Sequence, residues 1–152
     1  LCTKIVISSN NFVYDFTGCE TWPDEIAQQA PVIGIYSCLK RSETEVNIVL
    51  SCDMPFASTE LLNHLLGFSG KGDVVVPLHD GFVEPLCGIY KRNVLSGLEK
   101  CIANNKFSLH RFIESCPHHY AEIDEKLPFF HSRLFLNINT PDDLKQSLSD
   151  SE

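Results

Sequence analysis

No run of this chain approaches the ~20 consecutive apolar residues that a membrane-crossing helix needs, and no cleavable leader pattern is visible. A membrane is therefore not an expected partner. Basic residues are scarce as well: 12 Lys and Arg stand against 20 Asp and Glu, a formal net charge of −8 at pH 7. Nucleic-acid backbones are gripped by clustered Lys and Arg, so nucleic acid is excluded too. Any anionic small molecule must instead be met by a metal ion, backbone N–H groups and a few local cations. No C-x-x-C pair occurs among the seven cysteines, Cys2, Cys19, Cys38, Cys52, Cys87, Cys101 and Cys116. An odd, unpaired set argues against a disulfide framework and for free thiols in a reducing cytoplasm. Several lie in apolar runs, and Cys52 in particular is expected to be buried and slow to react with thiol reagents. His118, His119 and His131 lack the H-E-x-x-H or Cys-His spacing of a metal site and read as surface or packing residues. Also missing is a strand-loop-helix phosphate cradle. Gly67, Gly70 and Gly72 follow a helical pattern, the reverse of the order such a cradle needs.

What is present is a chain of 152 residues, 43% hydrophobic, enough to build one core and one domain over residues 1–152. Strand-like and helix-like patterns alternate along it. Lys4 to Ser9 begins as a strand, Val32 to Leu39 reads as a helix, Val46 to Cys52 as a strand and Ser58 to Leu66 as a helix. Val74 to Pro77 and Val83 to Tyr90 flank the turn His79-Asp80-Gly81 and suggest an antiparallel pair. Val94, Leu95, Leu98 and Ile102 have helical spacing, as do Leu109, Phe112 and Ile113, whereas Tyr120 to Ile123 and Leu134 to Ile138 look like strands. Thr140-Pro141-Asp142-Asp143-Leu144 has the cap, proline and acids of a helix start. The pattern predicts an α/β fold of three layers, a mainly parallel but mixed sheet with helices on both faces.

The most informative stretch is Val46 to Phe56, VNIVLSCDMPF, where an apolar run ends in Asp53 and a proline turn. This pattern reads as a strand buried on both faces, with Asp53 at its carboxyl end, where open α/β sheets bind ligands. A carboxylate there can hold a hard divalent cation against phosphate oxygens. An N-cap role is the alternative, but Ser58, followed by Glu60 and Leu61, already supplies a cap for the next helix. Asn137 and Asn139 flank Ile138 at strand spacing and share a face; either carboxamide is an acceptable cation ligand, and ordinary turn and capping chemistry before Thr140 explains them as well.

Taken together, VNIVLSCDMPF, Val74 to Tyr90 (VVVPLHDGFVEPLCGIY), Ser108 to Phe112 (SLHRF), Asn137 to Leu144 (NINTPDDL) and Trp22 to Gly34 (WPDEIAQQAPVIG) resemble the molybdenum cofactor guanylyltransferases. These belong to the nucleotide-diphospho-sugar transferase-like nucleotidyltransferases, with a Rossmann-like fold. The resemblance implies transfer of GMP from GTP to molybdopterin or the molybdenum cofactor, giving a guanine dinucleotide cofactor and pyrophosphate. It further implies Mg²⁺ held by Asp53, with Asn137 or Asn139 as a further ligand, and Asn10 and Asp24 at the guanine nucleotide. On the acceptor side it suggests His79, Asp80, Glu84 and Arg111. Molybdoenzymes or other cofactor-biosynthesis proteins are implied as partners.

Ala30 and Ile33 depart from the family's Gly-Pro turn, and Ser8 stands where an asparagine is often found. The family's opening strand and glycine-rich loop have no match here, so a preceding segment of a few tens of residues is expected, the competing expectation being a remnant that holds molybdopterin without turnover. Cytidylyl transfer to the same cofactor, or nucleotidyl transfer to a sugar phosphate, is the rival activity.

Overall fold

The computed structural model describes residues 1–140, Asp142, Asp143 and Lys145. The strands are β1 (Val6–Ser8), β2 (Glu20–Trp22), β3 (Val46–Leu50), β4 (Val74–His79), β5 (Phe82–Val83), β6 (Cys87–Lys91) and β7 (His118–Glu122). The helices are α1 (Pro31–Arg41), α2 (Thr59–Gly67), α3 (Leu95–Ala103) and α4 (Leu109–Glu114). Their ends follow local chemistry. Pro31 occupies the first turn of α1, where its missing N–H costs nothing, and Lys40 and Arg41 sit in the last turn beside the helix's negative end. Ser58 caps α2 by accepting from the Leu61 N–H at 3.1 Å, and Ser108 caps α4 through the Arg111 N–H.

The larger sheet runs β3-β6-β4, with β7 on the far edge of β4. β6 is antiparallel to both β3 and β4, and β7 is parallel to β4, so β3, β4 and β7 point the same way. The expected hairpin is present: Leu78 and His79 pair with Val83 and Phe82 across a turn in which Asp80 (φ 50°) and Gly81 (φ 81°) are both left-handed. That Asp-Gly geometry matches the twist of the flanking strands.

Alternation along β4 divides the core. Val74 and Val76, with Tyr90 of β6, pack against α1, α3 and α4 through Val32, Ile35, Leu39, Leu98, Phe112 and Ile113. Val75, with Cys87 and Ile89, faces α2 through Leu61 and Leu65, joined by Ala121, Ile123 and Leu134. The result is the expected three-layer α/β fold. Each fully buried Val, Leu, Ile or Phe contributes about 1.5–3 kcal/mol, so the two faces of β4 and β6 carry most of the stability. Contact between these strands is close at Gly88, where a Cβ would lie 2.6 Å from the Val75 carbonyl oxygen.

Four expectations need correction. The third strand stops at Leu50, two residues early, because a turn begins there. β3 is half-buried with exposed ends, not buried on both faces, since among the described residues only β6 pairs with it. Cys52 is exposed, and so is Cys2, while Cys87 is buried; all seven cysteines are free. Leu134 to Ile138 is not a strand: turns closed by Leu134 N–H to the His131 carbonyl and Leu136 N–H to the Arg133 carbonyl lead into an irregular stretch. Leu134 is buried against the α2 face by this folding back, with no strand partner required. β1 and β2 form a separate parallel pair, Val6 opposite Glu20 and Ser8 opposite Trp22. Of the expected final helix, Pro141 and Leu144 lie outside the described residues, but the Asp143 N–H donates to Thr140 Oγ1 and the Thr140 N–H returns a bond to Asp143 Oδ2, a reciprocal cap.

Candidate active site

Beyond β3 the chain stays tied to its neighbour: the Ser51 N–H donates to the Leu86 carbonyl at 2.7 Å. The next turn is pinned by Met54, buried on the α2 side of the sheet. Between these anchors lies Asp53, at the carboxyl end of β3 as its sequence position predicts. Its Oδ1 is buried and has no hydrogen-bond partner. An unsatisfied buried carboxylate oxygen is costly, and such groups persist at sites completed by a ligand or ion. The Asp53 carbonyl accepts from the Ile138 N–H at 2.8 Å. That bond sets Asn137 and Asn139, both exposed, on either side of the aspartate's attachment point. The Asn139 N–H is taken by Asp143 Oδ2, so its backbone serves the cap.

The opposite wall is the segment after β5. The Glu84 N–H donates to the Pro77 carbonyl, the Cys87 N–H to the Glu84 carbonyl, and the buried Tyr90 hydroxyl to the Pro85 carbonyl at 2.6 Å. These bonds hold Glu84-Pro85-Leu86 beside the end of β3. Burial raises the Glu84 pKa, the Asp53 charge raises it further, and His110 and His79 act in the opposite direction. His110 is a site neighbour that the sequence reading passed over, though it stands next to Arg111 in the SLHRF string. Arg111 itself is exposed on α4.

His79, at the end of β4, is held on several sides. Its Nδ1 lies 3.0 Å from the Ile123 carbonyl, which can only accept, so Nδ1 carries the proton and Nε2 faces Asp80 Oδ2 at 3.2 Å. The ring stacks on Phe135, with centroids 5.2 Å apart, and lies against Phe130. Asp80 is exposed, and its left-handed backbone is explained by the hairpin turn alone.

Asn10 and Asp24 meet at the carboxyl ends of β1 and β2. Asn10 Nδ2 donates to Asp24 Oδ2 at 2.9 Å, and the Asp24 N–H donates to Asn10 Oδ1 at 2.8 Å. Helix α1 comes close here: a Cβ on Gly34 would sit 3.2 Å from Ser8 Oγ and 3.7 Å from Asp24 Oδ1. Most of the candidate residues thus fall into two groups, Asn10 with Asp24, and Asp53 with Glu84, His79, Asn137 and Asn139, while Asp80 and Arg111 are exposed. Two open grooves lie elsewhere, one bordered by Cys2, Lys4 and Cys19 and one by Ser58, Phe129 and His131, and neither includes Asp53.

Residues 1–122 match the family model described as a MobA-like NTP transferase domain. The chain belongs to this family. A relative from Flavobacterium johnsoniae named "Probable molybdenum cofactor guanylyltransferase" is 32% identical over 142 residues, covering 93% of this chain and 72% of its own length. The solved structure of a molybdopterin-guanine dinucleotide biosynthesis protein A from Archaeoglobus fulgidus is 27% identical, with a TM-score of 0.77 over 97% of this chain and 79% of that one. A 2-C-methyl-D-erythritol 4-phosphate cytidylyltransferase from Thermus thermophilus superposes with a TM-score of 0.71 over 98% of this chain and 83% of that one; at 12% identity this likeness concerns the fold alone. The family is one of nucleotidyltransferases, and this chain is an enzyme of that class, with a role in molybdenum cofactor biosynthesis. No helix among the described residues is long and apolar enough to cross a membrane.

Proposed function

We propose that this enzyme transfers GMP from GTP to molybdopterin or the molybdenum cofactor, releasing pyrophosphate. The observation that carries the proposal is the buried, unpartnered Oδ1 of Asp53 at the carboxyl end of β3, in a chain whose relatives bear the guanylyltransferase name. Bringing one phosphate onto the α-phosphorus of a triphosphate forces polyanions together, and the chain's charge of −8 supplies little to offset them. The donor set suits Mg²⁺: a hard carboxylate oxygen lacking a partner, with Asn137 and Asn139 flanking the Ile138 that bonds to the Asp53 carbonyl. When bound, the ion would neutralise the phosphate oxygens during the displacement.

The remaining roles belong to the chain's own groups. Asn10 and Asp24, locked to each other, present polar edges suited to the base of the nucleotide. His79, anchored through Nδ1 on the Ile123 carbonyl and with Nε2 3.2 Å from Asp80 Oδ2, would lie on the acceptor side with Glu84, to which Arg111 would bring a planar donor fork for the acceptor phosphate. The seven free thiols support a reducing cytoplasm as the setting, and delivery of the product to molybdoenzymes follows from its chemistry. Pyrophosphate release with molybdopterin and either GTP, CTP or UTP tests the proposal. GTP should be the preferred donor. Preference for CTP would overturn guanylyl transfer, and ligand retention without pyrophosphate release from any of the three would make the chain a binding protein.

A further inference from the structure

We infer that Ser37 and Glu25 are positioning residues that hold Asp24 in place for the base of the nucleotide. This rests on the reading of Asp24 given above and adds the support beneath it. Residues 23–29 have no ladder of their own. Among the described residues none of them makes a backbone-to-backbone hydrogen bond, and the last such bond beside the β1-β2 pair is Ser9 N–H to the Trp22 carbonyl at 3.1 Å. Backbone N–H groups away from water need partners, and here side chains supply them. The Asp24 N–H goes to Asn10 Oδ1 at 2.8 Å and the next N–H, of Glu25, to Ser37 Oγ at 2.8 Å. Two consecutive peptide groups are thereby pinned, one to the loop after β1 and the other to the middle of α1.

Apart from Tyr and Cys, Ser37 is the only polar residue buried among the described residues, at 1% exposure. A buried serine in a helix commonly satisfies its hydroxyl on the carbonyl four residues back, and this one does, donating to the Ile33 carbonyl at 2.7 Å. That bond uses the hydroxyl proton and leaves the oxygen to accept, which is what the Glu25 N–H requires. The Glu25 side chain returns to the same helix. Arg41 Nε and Nη2 donate to its Oε1 at 3.0 and 2.7 Å, and Lys40 Nζ donates to Oε2 at 3.1 Å. Ser37, Lys40 and Arg41 stand at i, i+3 and i+4, so one face of α1 clamps Glu25 by both its backbone and its carboxylate. The Arg41 guanidinium, and then the Lys40 ammonium, hold that carboxyl below its usual range, so the clamp stays charged at neutral pH. Asp24, one residue earlier, is held at its own carboxylate by Asn10 Nδ2 at 2.9 Å. Without the Glu25 anchor Asp24 would keep its charge and lose its fixed place, and ordering it again would be charged against nucleotide binding.

The test is GTP affinity by calorimetry in the presence of Mg²⁺, together with thermal unfolding and the KM values for GTP and molybdopterin. Wild type, Asp24→Asn, Ser37→Ala, Glu25→Gln and Ile89→Val are compared. Alanine favours the helix, and Ile89→Val is a control that opens a small cavity on the α2 side of the sheet. Ser37→Ala should weaken GTP about fivefold, the worth of one hydrogen bond, while the KM for molybdopterin and kcat at saturating GTP hold. Glu25→Gln should weaken GTP about twofold, because its ion pairs are partly exposed. Ile89→Val should lower the unfolding temperature and bind GTP as wild type does. Unchanged GTP affinity in a folded Ser37→Ala, with affinity lost in Asp24→Asn, would overturn the positioning role alone, and so would an equal loss in Ile89→Val. If Ser37→Ala does not fold, Glu25→Gln decides in its place, wild-type GTP affinity there overturning the role. Wild-type affinity in Asp24→Asn, or no GTP binding by wild type, would overturn the Asp24 reading and this inference with it.

Discussion

Replacing Asp53 by Asn keeps the shape of the side chain and removes one unit of negative charge. Two features of the structure separate the chemical consequence from the folding consequence. The Ile138 N–H is bonded to the Asp53 backbone carbonyl, a contact the substitution leaves intact. The carboxylate Oδ1 has no protein partner, so no hydrogen bond is lost when its charge is removed. An amide is also cheaper to bury than an unpaired carboxylate, so the unfolding temperature should hold or rise slightly. The chemical loss is larger. Unit charges about 4 Å apart interact by ~4 kcal/mol at an effective dielectric constant near 20, and a divalent ion doubles the charge product. Part of this is returned by water and phosphate oxygens taking the vacated position, and a net loss of about 2.7 kcal/mol is already a hundredfold in rate. Single-turnover GMP transfer should therefore fall at least about a hundredfold in a variant whose thermal unfolding is unimpaired. Near-normal turnover by the folded variant would refute the reasoning and leave Asp53 as a turn residue.

Ala substitutions at Asn137 and Asn139 distinguish ligand from turn: at the ligand position, activity should drop while stability is kept and excess magnesium should restore part of it, whereas loss of activity in neither variant removes both from the site. Gly88→Ala should destabilise the protein by about 1–3 kcal/mol in denaturant unfolding, since the added methyl meets the Val75 carbonyl oxygen at 2.6 Å; unchanged stability would contradict the packing of β4 on β6. Thiol reagents should label the exposed Cys2 and Cys52 rapidly in the native protein and leave Cys87 unlabelled, because burial pushes the Cys87 thiol up to about 12; mass mapping showing early Cys87 labelling would contradict that burial.

Helices and central strands were legible because their signals are local. Val32 to Leu39 has helical spacing and falls inside α1, Ser58 caps α2 as its side chain suggests, and the valines of β4 are bounded by glycines and a proline. The Asp-Gly turn announced the hairpin through its left-handed backbone. Errors arose where pairing partners decide the outcome. Leu134 to Ile138 is apolar enough for a strand, yet it buries Leu134 by turning back on the α2 face. Cys52 sits in an apolar-looking run but beyond the last ladder pair of β3, so it meets solvent. At the site, Asp53 could be found from the strand-aspartate-proline pattern. Its Ile138 contact is not a local property, since it depends on a segment about 85 residues later in the chain. His110 was hidden for a similar reason, since only the packing of α4 brings its charge within reach of Glu84.

Asp53 is central because it is proposed to support transfer of the α-phosphorus of GTP to molybdopterin. Incubating the protein with α-labelled GTP, molybdopterin and Mg²⁺, and following label into a guanine dinucleotide with equimolar pyrophosphate, tests this most directly. Label transfer should require both the acceptor and Mg²⁺ and should drop at least about a hundredfold in Asp53→Asn. Pyrophosphate formed without label in the acceptor, or equal transfer by wild type and Asp53→Asn, would contradict it.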